Sequence, residues 1–304
     1  MRYRYHTLDV FTDRVFGGNP LAVFPDARGL TDGQMQRVAR ELNLSETVFV
    51  FPPETMEGTR RVRIFTPAME LPFAGHPTVG TAVLLAAIGE VPREGGETRI
   101  VLEEKVGPVP VLVRGQDGRP DFAQLSPAQP PETRPSPADR DELAALLGLA
   151  PDDVPDGGDF SPAAVSTGVP FLIVPLSDLA ALGRARLDVA RWERVLANTW
   201  APLVYVFTPV SGAADFRVRM FAPSQGIVED PATGAAGAAF AGYLALRETA
   251  ADGAFRWTVE QGVEMGRPST LYLEADKAAG EVAAVRVGGS AVLVSEGWME
   301  IPEE

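Results

Sequence analysis

The sequence predicts an α+β fold of two pseudo-symmetric domains, each a strongly bent, mostly antiparallel sheet wrapped on one buried helix. Three observations carry this expectation. The chain resembles itself: Arg63-Ile64-Phe65-Thr66-Pro67 recurs 156 residues later as Arg219-Met220-Phe221-Ala222-Pro223, and Thr47-Val48-Phe49-Val50-Phe51 lies over Leu203-Val204-Tyr205-Val206-Phe207 at the same offset. Upstream, Gly18-Asn19-Pro20-Leu21-Ala22-Val23-Phe24-Pro25 lies over the segment beginning at Gly168 at an offset of 150. A single repeat of half the chain means two similar domains rather than a solenoid of short units. Second, 304 residues with 45% hydrophobic content suit about two domains, each able to bury a core. Third, each half holds one helical segment that is apolar nearly all round, which requires cover on every side.

The elements follow in order. Residues 3–11 and 21–24 read as strands, with Gly17-Gly18-Asn19-Pro20 as the turn chemistry between them. Thr31 and Gln34 form a capping box for a helix whose apolar positions Met35, Val38, Ala39 and Leu42 recur at helical spacing. Strands over 47–51 and 61–65 precede the first all-apolar helix, 77–88, where Gly80 and Ala82 allow close packing. Strands over 98–102, 109–114 and 122–125 complete an N-terminal domain, 1–125. Residues 126–137 hold five prolines and read as a linker. A C-terminal domain, 138–304, repeats the order, starting with a helix capped by Ser136 with Pro137 in its first turn. Strands follow over 163–166 and 171–174, a helix over 189–197, strands over 203–207 and 216–221, and the second all-apolar helix over 233–246. Strands over 255–259, 270–273, 284–287 and 291–294 finish the chain, leaving open a return of the last to the N-terminal half.

Composition excludes several function classes. A formal charge of −14 argues against nucleic acid or an anionic membrane as partner, since either needs a basic face. With no cysteine, disulfides, thiolate metal sites and thiol nucleophiles are ruled out, and two histidines cannot build a histidine-rich metal site. The first residues lack an apolar signal-peptide core and no stretch approaches a membrane span, so a cytoplasmic, soluble protein is expected. No Gly-x-Ser-x-Gly elbow or standard glycine-rich nucleotide loop is present. Arg63 and Arg219 occupy matched positions and are assigned to the fold; the four tryptophans, Trp192, Trp200, Trp257 and Trp298, are assigned to core packing.

Chemistry is expected where the two apolar helices begin. The first is entered through Phe73-Ala74-Gly75-His76-Pro77-Thr78, the second through Glu229-Asp230-Pro231-Ala232-Thr233-Gly234. Proline at the first helical position puts His76 and Asp230 at or near the caps. Unpaired N–H groups there bind anions, so two facing halves would hold a substrate carboxylate between them. Glu46 falls opposite Pro202 in the repeat, so the architecture does not demand a charge at that place, and burying one is costly unless it is used. Glu46 and Asp230 together make an acid–base pair, with burial raising the one and a helix N-terminus favouring the ionised form of the other. Taken singly, Asp230 equally fits a helix cap, His76 a satisfied buried histidine and Glu46 a surface residue.

The segments Gly18-Asn19-Pro20-Leu21-Ala22-Val23-Phe24, Leu42-Asn43-Leu44-Ser45-Glu46-Thr47, Arg63-Ile64-Phe65-Thr66-Pro67, Glu70-Leu71-Pro72-Phe73-Ala74-Gly75-His76-Pro77 and Glu229-Asp230-Pro231-Ala232-Thr233-Gly234 closely resemble the PhzF phenazine-biosynthesis family. The resemblance covers nearly the whole chain, through Gln261-Gly262-Val263-Glu264-Met265-Gly266-Arg267-Pro268. It implies the fold of diaminopimelate epimerase, an active site between the halves, a homodimer, a small-molecule substrate and no cofactor or metal. It also implies that Glu46 is general base and acid in a double-bond isomerisation, assisted by His76 and Asp230. Asn19, Ser45, Gly75, Pro77, Thr78, Thr233, Gly234 and Ala235 are the matching substrate-binding positions. The family's phenazine member has a serine after the threonine-glycine pair; Ala235 stands there, which removes a hydroxyl able to bind substrate or relay a proton. The expected function is cofactor-independent proton transfer between carbons of a small, carboxylated metabolite. Epimerisation at one carbon by Glu46 and Asp230, and metabolite binding without turnover, are the other readings.

Overall fold

The structure is a computed structural model that describes residues 1–92, 96–116, 119–127, 129–155 and 157–303. The chain divides into two compact units, Met1–Ser126 with Gly288–Glu304, and Pro127–Val287. The first unit contains, in order, β1 (Arg2–Val10), β2 (Asn19–Phe24), α1 (Asp32–Leu42), β3 (Glu46–Phe51), β4 (Arg60–Phe65), β5 (Glu70–Leu71), α2 (Gly75–Ala87), β6 (Glu97–Glu104), β7 (Gly107–Gln116) and β8 (Arg119–Leu125). β1–β2, β3–β4, β4–β5, β6–β7 and β7–β8 pair antiparallel, while β2–β3 and β4–β6 run parallel.

The second unit repeats this wiring with β9 (Glu132–Pro135), α3 (Arg140–Leu146), β10 (Ala163–Ser166), β11 (Pro170–Pro175), α4 (Leu179–Arg184), α5 (Val189–Val195), β12 (Leu203–Pro209), β13 (Phe216–Ala222), β14 (Ile227–Asp230), α6 (Gly234–Ala245), β15 (Gly253–Gln261) and β16 (Ser269–Ala278). Its parallel pairs, β11–β12 and β13–β15, fall at the same places in the order as those of the first unit. The predicted α+β, mostly antiparallel class holds, and parallel pairs occur in each copy where a helix or loop carries the chain across. β17 (Glu281–Glu300) ends the chain, and its later residues pair with β1.

Burial explains why these segments form. α1 buries Met35, Val38 and Ala39 on the outer face of its sheet against Phe24, Phe49 and Phe65. Its capping box is formed as expected: the Thr31 hydroxyl accepts from Gln34 N, and Gln34 Oε1 accepts from Thr31 N at 2.8 Å. α2 and α6 are buried all round, the former at every position but Ala87, and each lies on the inner face of its sheet. At Gly80 an added Cβ would stand 2.6 Å from both Leu21 and Val10 side chains, so the glycine lets α2 close on β1 and β2.

Several expectations are corrected. The proline-rich stretch 126–137 is not all linker, because Glu132–Pro135 pairs with β10, with Pro135 as its single, terminal proline. Ala128 and the terminal Glu304 lie outside the described residues. α3 is capped by Asp139, whose carboxylate accepts from Glu142 N, rather than by Ser136. The two last expected strands are one, because Gly288, Gly289 and Ser290 continue the extended backbone instead of turning. α2 starts two residues before Pro77. Proline is tolerated there because the first-turn N–H groups have no helical partner to lose. Trp298 is exposed with the Arg2 guanidinium over its ring, so it is no core residue.

The registers also refine the repeat. Phe49 pairs with Arg63, but Val206, not Tyr205, pairs with Arg219. Leu21 pairs with Glu46, and Phe171 with Leu203. The third strands of the two copies are therefore offset by one residue more than the fourth, and Leu203 stands where Glu46 does, rather than Pro202. The conclusion that this place accepts an apolar residue survives the shift. The arginines are structural in both copies: Arg63 grips Glu70 through two nitrogens at 2.7 and 2.8 Å, and Arg219 grips Glu229 at the same distances.

Thr31→Ala removes the side-chain half of the α1 capping box. It is expected to lower unfolding free energy by about 1 kcal/mol, read as a lower urea midpoint at unchanged slope.

Candidate active site

In the first unit, three predicted residues meet at the start of α2. Glu46 is the first residue of β3 and, in phase with Val48 and Val50, faces the central helix; it is 6% exposed. His76, in the first turn of α2, is 3% exposed, and its Nε2 lies 3.3 Å from Glu46 Oε2. On the other side of the ring, the fully buried Asn19 amide lies 3.1 Å from His76 Nδ1. Donor and acceptor in this contact follow the ring tautomer, and Nε2 is the nitrogen that faces Glu46. Burial pushes the imidazole pKa down to about 3, against a smaller opposite pull from the Pro20 carbonyl. The ring is thus neutral beside a buried carboxyl.

Asn19 is delivered by a strained approach. Gly18 adopts φ +60, and a Cβ there would stand 2.3 Å from the Val10 carbonyl oxygen. Phe11 and Phe16 in the same connection also have positive φ, which bulky residues rarely adopt, and Asp9 secures it by accepting from Phe16 N at 2.6 Å. Such strain persists only where surrounding structure fixes it. Ser45 is half-buried directly before β3, and Gly75, Pro77 and Thr78 lie buried in the first turn of α2. No side chain caps α2, whose N-cap is Ala74.

In the second unit, Asp230 ends β14 and is 5% exposed. It is not the helix cap expected from the sequence; Thr233 holds that position, because Asp230 is kept in the sheet by pairing with Met220. The Thr233 hydroxyl donates to Asp230 Oδ2 at 2.5 Å. Gln261 fixes the turn from beneath: its Nε2 donates to the Asp230 carbonyl at 2.8 Å and to Thr233 Oγ1 at 3.0 Å, and its Oε1 accepts from Thr233 N at 3.1 Å. Gly234 and Ala235 then open α6, both buried.

Sequence reasoning passed over two residues. Gln261 is fully buried at the end of β15, and its amide is spent entirely on the Asp230 turn. Glu104, 7% exposed, ends β6, where Thr98, Ile100 and Leu102 alternate inward; continuing that period two residues was the available signal. A further repeat was also legible. Glu70-Leu71-Pro72-Phe73-Ala74-Gly75 lies over Glu229-Asp230-Pro231-Ala232-Thr233-Gly234 at an offset of 159. The pairings Ile64 with Leu71 and Met220 with Asp230 agree with it. Leu71 therefore matches Asp230, and Ala235 matches His76. Each functional polar residue has an apolar counterpart in the other copy.

Among the described residues no group of three or more His, Asp or Glu side chains is arranged to hold a metal, and no helix is long and apolar enough to cross a membrane. The repeat of a sheet bent round one buried central helix defines a protein of the diaminopimelate epimerase-like fold. The family profile described as phenazine biosynthesis-like protein matches residues 8–297. The chain is 45% identical to an uncharacterized isomerase of Mesorhizobium japonicum, over 98% of each chain. It is 38% identical to the trans-2,3-dihydro-3-hydroxyanthranilate isomerase of Pseudomonas aeruginosa, over 97% of this chain and 98% of that one. The crystal structure of a Bacillus anthracis phenazine biosynthesis protein of the PhzF family superposes with a TM-score of 0.88 at 26% identity, covering 99% of this chain and all of that one. The chain belongs to the PhzF family, and it is an isomerase.

The buried imidazole predicts an acid-side stability loss. Between the ordinary value of 6.5 and about 3, unfolded chain binds a proton at His76 that the folded chain refuses, so stability falls as pH drops through this window. His6, also lowered by burial, adds to the slope. His76→Asn is therefore expected to lose less stability than wild type on acidification, by up to about 1.4 kcal/mol per pH unit. Parallel urea titrations measure the difference, and identical slopes would assign the loss to other groups.

Proposed function

We propose that this isomerase moves a proton between two carbons of a small, carboxylated metabolite, with Glu46 as the carrier and no cofactor. The observation that supports this best is the contact of Glu46 with a neutral His76 in a buried place where the fold itself accepts leucine. As carboxylate, Glu46 takes a proton from an acidic C–H; as acid, it returns the proton to a second carbon of the same molecule. With its proton on Nε2, the His76 ring stabilises the carboxylate form without competing for the proton, since it stays neutral at working pH. Asp230, fixed by Thr233 and Gln261, is the second acid–base group of this reading. The first turns of α2 and α6 carry no side-chain cap and suit anions, and Asn19, Ser45, Gly75, Pro77, Thr78, Thr233, Gly234 and Ala235 are the substrate-binding positions of this reading.

Shared descent with a dihydrohydroxyanthranilate isomerase supports carbon-to-carbon transfer. The mismatch of the two acids within the repeat supports it too. An epimerase using mirrored bases needs acids at matched positions of the two copies, whereas Glu46 matches Leu203 and Asp230 matches Leu71. Ala235 favours a substrate whose binding needs no hydroxyl at that place. The same reading takes the protein as a cytoplasmic homodimer that binds neither nucleic acid nor membrane, in keeping with its charge of −14.

A panel of small carboxylates, with trans-2,3-dihydro-3-hydroxyanthranilate as first member, incubated in deuterium oxide tests the proposal by NMR. Wild type is expected to shift a double bond and exchange the migrating hydrogen. Glu46→Gln is expected to lose about 10²–10⁴-fold of the exchange rate while keeping its fold. Exchange at the wild-type rate in that variant removes Glu46 from the mechanism.

A further inference from the structure

The first turn of α2 is tied to a buried acid that the proposed chemistry does not use. Thr78 Oγ1 lies 2.7 Å from the Ala74 carbonyl oxygen and 2.6 Å from Glu104 Oε1. One hydroxyl proton cannot serve two acceptors. Both contacts are hydrogen bonds only if Thr78 donates to Ala74 and accepts from a protonated Glu104. The opposite arrangement sets two bare oxygens against each other at 2.7 Å and leaves a charged carboxylate buried. Glu104 Oε2, buried, has no hydrogen-bond partner, which suits a neutral acid and penalises an ionised one.

We propose that Glu104 is a positioning residue: as the neutral acid it lends its proton to Thr78, which frees the Thr78 hydroxyl to hold the turn of Ala74, Gly75 and His76. The Ala74 carbonyl has only a long second bond, from Thr78 N at 3.3 Å, so the hydroxyl is its principal tether. Once Glu104 ionises, the Thr78 proton swings to Glu104, the carbonyl is released, and His76 moves relative to Glu46. Burial raises the Glu104 pKa to about 8, with a smaller lowering by Thr78.

The surrounding charges leave Glu104 to itself. It borders a cavity of about 640 Å³ whose cations are already engaged. Arg63 and Lys105 bind Glu70, and Arg61 lies 3.2 Å from Glu54. Glu103 accepts from Glu54 N and Thr55 N, and Glu57 is exposed. From α2, the titratable side chain is His76.

The bearing on turnover rests on the roles given above to Glu46 and His76, but the test reads the His76 ring directly and needs no substrate. His6 and His76 are the only histidines, so imidazole nitrogen NMR signals are assigned by His6→Asn. Both rings are neutral above pH 7 because burial lowers both. Wild type is expected to show a His76 inflection centred near pH 8. Glu104→Gln, whose amide donates to Thr78 at every pH, and Thr78→Val are expected to lose it; Thr78→Ser and Glu57→Gln keep it. The folded state also keeps a proton that unfolded chain releases above pH 4.5, so wild-type stability falls from there toward pH 8, and Glu104→Gln flattens that fall. A wild-type His76 signal without an inflection between about pH 7 and 9.5 overturns the proposal, as does an inflection that persists in Glu104→Gln or, should that variant not fold, in Thr78→Val.

Discussion

A helix that is apolar on every side must be covered on every side, and that requirement shapes both units. α2 and α6 carry no polar stripe to turn toward water, so each sheet bends until strands from both ends of its order lie against the helix. Gly80 sets how closely this happens in the first unit, because any side chain there would meet Val10 and Leu21. The outer faces are then covered by smaller pieces, α1 in one copy and α3, α4 and α5 in the other. With its flanks buried, each central helix can offer free backbone donors only at its start. That is where the polar side chains gather.

Polar groups kept in such a place must be justified one by one. His76 is buried as a neutral ring, with the Asn19 amide 3.1 Å from its Nδ1. Asp230 is held by Thr233 and Gln261 without a countercharge from either. Glu104 is buried as an acid against Thr78. The cations of the same units are handled differently: Arg63 and Arg219 each grip a glutamate through two nitrogens, which ties neighbouring strands together. The repeat separates these classes. Arg63 and Arg219 recur with their partners, whereas Glu46, Asp230 and His76 meet Leu203, Leu71 and Ala235. What the fold needs appears twice, and what the chemistry needs appears once.

Much of this was legible in the residues. Alternating and continuous apolar runs gave the strands of both copies, the Thr31 and Gln34 pair gave the start of α1, and motif resemblance gave the family. The misses have physical causes. Short strands such as β5 and β14 hold too few residues to show a period, and Asp230 was read as a cap because an aspartate before proline looks alike at a helix start and at a strand end. Pro77 drew the start of α2 too late, since proline is tolerated anywhere among the unpaired first-turn N–H groups. Trp298 sits in a strand pattern that suggests core packing, although an arginine plane covers it at the surface.

The sequence by itself determined the repeat, the two wrapped helices, the absence of thiol chemistry and the identity of the carboxylates worth considering, because these depend on composition and on order along the chain. Only the tertiary structure decided that Leu203 rather than Pro202 answers Glu46, that His76 lies between Asn19 and Glu46, that Gln261 braces Asp230, and that Glu104 shares a proton with Thr78. Those facts depend on strand register and on contacts between residues up to 57 positions apart. A one-residue slip in pairing reverses which face a side chain occupies, and no local pattern records it.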